Sequence, residues 1–325
     1  MEIFNFNEKY FLRDIMGAYM LNIGKQSEDV VIVNADLSGT CRNKTFVENF
    51  PERSFNVGIA EQNMISFAAG LAHEGFIPYA FSMAPFICMR ACEQCRTDVA
   101  YANLNVRLIG TYAGLSGGIS GATHWSVEDC AIMGSMANMI VLEPCDPIQA
   151  KKMLESTLRY NGPIYIRSTV EPVISIYDNS YKYEIGKASV VREGFDGAYI
   201  VSGITVKYAL EAALRIKNKI GKDIQVIDMH TIKPIDRKAV VEAAKTGNLV
   251  VAQDHNKIGG LGYYVAIILA EEKISTNFIN LGVEDKFEAM AHAPYLYNKL
   301  GYDADGLEKA MICLLYTSDA ADDLT

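Results

Sequence analysis

Short, mostly apolar runs recur through the chain, at residues 30–33, which are β-branched and apolar throughout, at 77–81, 106–110, 139–142 and 164–167, and again at 198–201, 224–228, 249–252 and 278–281. Runs this short that are apolar on both faces belong to the middle of parallel sheets. Stretches with helical spacing separate them, such as residues 8–23 with Phe11, Ile15 and Tyr19 on one side. Strands alternating with helices build βαβ units and a doubly wound sheet. The spacing predicts an α/β protein of two doubly wound domains, residues 1–170 and 188–312. A linker is expected at 171–187, where Pro172 and Asp178-Asn179-Ser180 interrupt any period.

At 325 residues and 35.8 kDa, two domains of this size can each bury a core. The net charge of −9 argues against a nucleic-acid or anionic-membrane partner. No apolar run approaches the roughly 20 residues of a membrane helix. The first residues, MEIFNFNEKYFLRD, lack a signal-peptide core, so a cytoplasmic location is expected. Residues 313–325, starting CLLYTSDAADD, resemble a translated sequencing adapter. The helical pattern of 307–312 reads as stopping there, and this tail is set aside as non-native.

Cys88, Cys92 and Cys95 have the C-x3-C-x2-C spacing of an iron–sulfur loop. Their segment, PFICMRACEQCRTDVAYA, is built of helix formers instead, with the three thiols on one side. Buried free cysteine packs as a small hydrophobe, so no metal ligands are expected. Gly259-Gly260-Leu261-Gly262 is not a dinucleotide fingerprint, and reads as a tight strand-to-helix turn. His73 and His230 read as packed or solvated. His124 differs, because the glycine-rich loop 114–121 leads to it just ahead of a helix predicted near Val127.

Residues 55–64, FNVGIAEQNM, set a carboxylate between a Gly-containing turn and small apolar residues. Val57 and Ile59 read as a buried strand end, and residues 63–71 as an apolar helix. Glu61 then falls near a helix N-terminus, facing the interior. Glu is almost never fully buried without a partner, so a hydrogen-bonding group must meet it.

In combination these residues are more specific. VIVNADLSGT at 31–40, ENFPERSFNVGIAEQNM at 48–64, Arg90-Ala91-Cys92-Glu93-Gln94, Gly121-Ala122-Thr123-His124 and Gly162-Pro163-Ile164-Tyr165-Ile166-Arg167 resemble the C-terminal half of transketolase, in order and spacing. DHNKIGGLG at 254–262 and Gly282-Val283-Glu284-Asp285-Lys286-Phe287 resemble that family's C-terminal domain, so the likeness covers about residues 11–312. The resemblance implies a pyrimidine-binding domain for thiamine diphosphate followed by the C-terminal domain. It makes the pyrimidine N1′ the partner of Glu61, which shares a proton with it so that the cofactor's reactive carbanion can form. Burial would suit that role, since it favours the protonated carboxyl. Phe86 matches the aromatic that stacks on the pyrimidine, Met83 stands where a second pocket aromatic is usual, and Asp36 lies in the strand-end loop of the cofactor side. His124 matches the histidine that contacts substrate oxygens.

The Gly-Asp-Gly motif with its following Asn, which holds Mg²⁺ and the diphosphate in this family, does not occur in the chain. The resemblance therefore implies the second subunit of a split enzyme, completed by an N-terminal, diphosphate-binding partner that holds most of the Mg²⁺ site, in a dimer of heterodimers. Arg13 and Thr40 match part of the family's sugar-phosphate site, with His124 and Ser120 beside them. Tyr112 replaces a histidine, Val170 a phosphate-binding arginine and Ser120 an acidic residue. Losing an Arg–phosphate contact removes a strong, charge-assisted interaction. Either the sugar substrate is not the usual pentose phosphate, or Arg107 or Arg167 supplies the charge. The β subunit of a 2-oxo acid dehydrogenase, 1-deoxyxylulose-5-phosphate synthase and a non-catalytic paralogue share this architecture and stand as alternatives.

Overall fold

The computed structural model describes residues 5–322, and side chains through residue 316. Its first sheet carries β1 (Val30–Asn34), β2 (Ser54–Asn56), β3 (Ile77–Met83), β4 (Arg107–Thr111), β5 (Ile140–Leu142) and β6 (Ile164–Ser168), ordered β5-β6-β4-β3-β1-β2 and all parallel. β1, β4 and β6 are buried along their whole length, as expected of a sheet covered on both faces. Helices Leu12–Gln26 and Pro147–Thr157 pack on one face; helix Glu61–His73 lies on the other. The second sheet holds β7 (Ser189–Arg192), β8 (Gly197–Val201), β9 (Ile224–Asp228), then β11 (Asn248–Asn256) and β12 (Asn277–Val283), in the order β12-β11-β8-β9-β7.

One strand crosses between the units. β10 (Thr231–Lys233), which follows β9 in the chain, adds to the edge of the first sheet antiparallel to β5. The sequence reading missed β10 and β7, three and four residues long, because so short a strand carries too little periodicity to register. Ile59, expected in a buried strand end, is 79% exposed, because β2 stops at Asn56 and the chain turns through Gly58 (φ +77°) before the helix. The cysteine segment is helical, but in two wide π-turned stretches, Phe86–Arg90 and Cys95–Tyr101, flanking a short α-helical turn. Cys88 and Cys95 are buried and burial pushes both thiols up, as for inert core cysteines. Gly262 heads helix Leu261–Glu271 and lies so close to Asn280 that a Cβ would stand 2.1 Å from its Oδ1, so close packing accounts for that glycine. The last helix, Ala304–Asp322, keeps its apolar stripe past Cys313: Leu307, Met311, Leu314 and Leu315 are all buried. The helical pattern therefore does not stop at 313. Among the described residues no helix is long and apolar enough to cross a membrane.

The domains are held together by buried polar groups. Arg167, wholly buried, donates from Nε to Asp129 (2.9 Å), from Nη1 to Glu143 (2.7 Å) and from Nη2 to the Asp254 carbonyl (2.9 Å). The second oxygen of Glu143 accepts from Ser202 and Gln253 of the second domain. His255 donates or accepts at both ring nitrogens, to the Asn256 carbonyl and from the Cys130 amide, so its cluster with Asp129 and Cys130 is saturated by protein.

A second junction surrounds Asp228, at the end of β9. Gln149, Tyr177 and Cys145 all donate to its Oδ2, while the buried Oδ1 has no partner. Burial pushes this carboxyl up to about 7. A folded-state value above the ordinary one means that stability is fully present below about pH 4 and is lost as pH rises through 7. Asp228→Asn, uncharged throughout, keeps the three donors satisfied. It is expected to flatten the pH dependence of Tm between pH 5 and 8, by up to roughly 4 kcal/mol at the alkaline end. Thermal melts of the two proteins across that range check this; parallel profiles would count against it.

Candidate active site

The loops that follow β1, β3 and β4 gather at the C-terminal edge of the first sheet, where open α/β sheets place ligands. Glu61 opens helix Glu61–His73 and is 1% exposed, so the buried carboxylate expected from the sequence is found, at the end of the helix that favours negative charge. Its protein partner is Arg90: Nη1 donates to Oε2 at 2.7 Å. The other carboxylate oxygen has no donor among the described residues.

Phe86 and Arg90 begin and end one π-turn, in which the Ala91 amide reaches the Phe86 carbonyl five residues back. The wide turn lays residue 90 over residue 86. The Arg90 guanidinium stands 4.2 Å from the Phe86 ring centroid. Phe86 also meets the His124 ring edge-on, centroids 5.5 Å apart. Glu61, Arg90, Phe86 and His124 therefore form one contiguous group.

His124 is half-buried and its Nδ1 pairs with the Thr123 hydroxyl at 2.9 Å. Gly114 and Ser126 close the base of its loop with paired backbone bonds, and Trp125 Nε1 donates across it to the Gly118 carbonyl. The second domain pins that base. Asp254 accepts from the Leu115 amide and from the hydroxyls of Tyr297 and Tyr302, each at 2.9 Å. Burial raises the Asp254 carboxyl to about 6, against these donors. Only glycine fits at 114: φ is +65° and a Cβ would stand 2.1 Å from the Asp254 carboxyl carbon. The helix after the loop starts at Asp129, two residues from the expected Val127.

Arg13 lies 2.8 Å from the Tyr112 hydroxyl, and Tyr112 is held at φ +62°, a strained setting for an aromatic residue. Gly117, beside the His124 carbonyl, lies against the Tyr112 ring, which links the Arg13 pair to the His124 loop. Thr40 is half-buried next to Cys41-Arg42, against which Gly17 of the Arg13 helix packs directly. Asp36 is exposed at φ +58° and exchanges two bonds with Asn56, tying the β1 loop to the segment before Glu61. Met83 is half-buried at the end of β3, and Ser120 is exposed on the His124 loop; neither touches Glu61 or His124 through a side-chain hydrogen bond.

The expectation that Arg107 or Arg167 supplies the missing charge is overturned. Both are wholly buried; Arg107 is spent on the carbonyls of Thr157, Tyr160 and Gly162 and on Asn105. Arg167 is spent on the domain junction. Releasing either would strand buried acceptors, and acidic groups as well for Arg167, at several kcal/mol. Sequence reasoning also missed Arg90 as the partner of Glu61 and the Asp254 clamp. The RACEQ motif drew attention to Arg90, but nothing local in it says which carboxylate the side chain meets.

A buried carboxylate at a helix N-terminus, an aromatic ring and a loop histidine converge at the strand ends of the first of two α/β domains, which defines a two-domain α/β enzyme. Comparison narrows the class. Residues 8–172 match "Transketolase, pyrimidine binding domain" and residues 186–307 match "Transketolase, C-terminal domain". The chain belongs to the transketolase family. It is 37% identical over 303 residues to the putative transketolase C-terminal section of Methanocaldococcus jannaschii, covering 93% of this chain and 95% of that one. It is also 37% identical over 304 residues to the 6-deoxy-6-sulfo-D-fructose transketolase subunit SqwH of a Clostridium species (strain MSTE9), covering 93% and 94%. A solved structure titled split gene transketolase, inactive beta4 tetramer, superposes with a TM-score of 0.85 at 34% identity, over 95% of this chain and 99% of that one. These matches favour the transketolase-type transferase over the oxo acid dehydrogenase and synthase readings.

Dependence on thiamine diphosphate comes with the family. The residues present fit its pyrimidine end. Glu61 keeps one oxygen without a donor among the described residues, and the neighbouring Phe86 is only half-buried, so an aromatic ring bearing an N–H can stack and donate there.

Proposed function

We propose that this chain is the C-terminal subunit of a two-chain cytoplasmic transketolase that moves a two-carbon ketol unit between sugar substrates. In this reading residues 1–170 bind the pyrimidine, 171–187 link, and 188–312 form the C-terminal domain that braces the His124 loop. Thiamine diphosphate, when bound, supplies the carbanion chemistry. Glu61 holds a proton at the pyrimidine N1′, Phe86 stacks on the ring beside Met83, and Asp36 fixes the loop that frames the cofactor side. His124 donates to, and takes protons from, substrate oxygens from a loop the second domain holds still. A diphosphate-binding partner subunit completes the site, holds most of the Mg²⁺ shell and assembles with this chain as a dimer of heterodimers.

The observation that carries the reading is the buried Glu61 carboxylate beside the Phe86 ring and the His124 loop. Arg13, Thr40, His124 and Ser120 form the substrate end. With Arg13 bonded to Tyr112, and Arg107 and Arg167 committed elsewhere, neither buried arginine restores the charge lost at Val170. We expect the pair reconstituted with its partner to need thiamine diphosphate and a divalent cation. It should turn over ketoses whose far end is not the usual pentose phosphate at least about tenfold faster than xylulose-5-phosphate with ribose-5-phosphate, the worth of roughly 1.4 kcal/mol of lost contact. A panel of phosphorylated and unphosphorylated donors tests this. Full-rate pentose phosphate turnover would sink the substrate assignment, and absence of ketol transfer from every donor would sink the enzyme.

A further inference from the structure

The Arg90 guanidinium makes both of the contacts just assigned to the cofactor ring. It donates to Glu61 at 2.7 Å and lies 4.2 Å from the Phe86 centroid. A guanidinium is planar and delocalised, stacks on aromatic faces and carries fixed N–H donors. An aminopyrimidine is planar too, and with the shared proton on N1′ it offers an N–H at the edge that faces Glu61. We infer that Arg90 is an internal placeholder for the cofactor's pyrimidine: it satisfies Glu61 in the unloaded chain and leaves when the ring arrives. The inference rests on the reading of Glu61 and Phe86 as cofactor contacts.

The way Arg90 is held supports a removable group rather than a fixed strut. Among the described residues its side chain makes a single hydrogen bond, that to Glu61, and it is 47% exposed, against 2% for Glu61. Arg107 and Arg167, by contrast, are wholly buried and each makes at least four bonds. Arg90 can swing into water by rotating its own side chain, with no buried acceptor stranded except Glu61. That one is met again by the incoming ring. Without the placeholder the unloaded chain would carry an uncompensated buried carboxylate, which is strongly unfavourable. The π-turn is what makes the arrangement possible, since it sets the guanidinium over the ring from which it must part.

The test uses the full chain reconstituted with its diphosphate-binding partner, titrated calorimetrically with thiamine diphosphate and Mg²⁺. For Arg90→Ala we expect about tenfold tighter cofactor binding, the equivalent of 1.4 kcal/mol. The free chain carrying that change should melt below the wild type, because Glu61 has lost its counter-ion. Arg90→Lys keeps the charge without the planar stack, and should bind cofactor more tightly than wild type by a smaller factor; it serves if the alanine variant does not fold. Glu61→Gln should weaken binding in the same pair. If Glu61→Gln weakens binding and the Arg90 variants weaken it too, or leave it unchanged, Arg90 is a supporting contact and the placeholder is overturned while the cofactor reading stands. If Glu61→Gln leaves the affinity unchanged, the cofactor reading falls and the placeholder falls with it.

Discussion

Glu61→Gln in the reconstituted pair is expected to lower kcat by about 10²- to 10⁴-fold at saturating cofactor, the range for loss of a positioned proton-sharing group. Glutamine keeps the size and the hydrogen-bonding oxygen of the side chain but cannot share a proton with the ring. Folding should be little changed, because the amide still accepts from Arg90 at the same position. The comparison should be made with excess thiamine diphosphate, so that weaker binding does not pass for slower chemistry; kcat then reports the step and KM for the sugar should move little. A loss of less than threefold would remove Glu61 from the chemistry and leave it as a buried ion-pair partner.

Arg167→Met is the change expected to cost most in stability, about 3–5 kcal/mol, since it leaves two buried carboxylates without their counter-ion. Asp129 and Glu143 both meet this guanidinium, at 2.9 and 2.7 Å, and all three side chains are shut away from water. Glu143 also receives Ser202 and Gln253 from the second domain, so the damage would loosen the contact between domains. The loop base that carries His124 hangs on the neighbouring Asp254. Urea denaturation gives the midpoint shift. Adding Asp129→Asn and Glu143→Gln to Arg167→Met should recover much of the loss, because a buried charge set can be replaced as a whole more cheaply than it can be broken. A single variant within 1 kcal/mol of wild type would show that the network contributes little.

The fold was legible because its signal is local. Runs such as Val30-Val31-Ile32-Val33 lie in the middle of a covered sheet, where both faces of a strand are apolar, and that is written in consecutive residues. The burial of Glu61 was legible for the same reason, since it stands three, four and seven positions before Met64, Ile65 and Ala68, on the buried side of an apolar helix. Ile59 misled because an apolar residue two positions before that helix looks like strand, whereas Gly58 at φ +77° turns it outward. The three-residue β10 misled because its place in the first sheet is set by the partner strand β5, which lies some ninety residues earlier.

By itself the sequence determined two α/β units, a buried carboxylate at a helix start and a histidine on a glycine loop, because periodicity, turn residues and apolar flanks act over a few positions. Only the tertiary structure decided which charges meet. Arg90, Arg107 and Arg167 read alike along the chain, as three arginines in or beside apolar segments. One lies half in water over Phe86, one is bound by four polar groups at the end of a helix, and one joins two domains. A charge's role depends on its burial and on partners 24 to 87 residues away, and those distances close only when the sheets are packed.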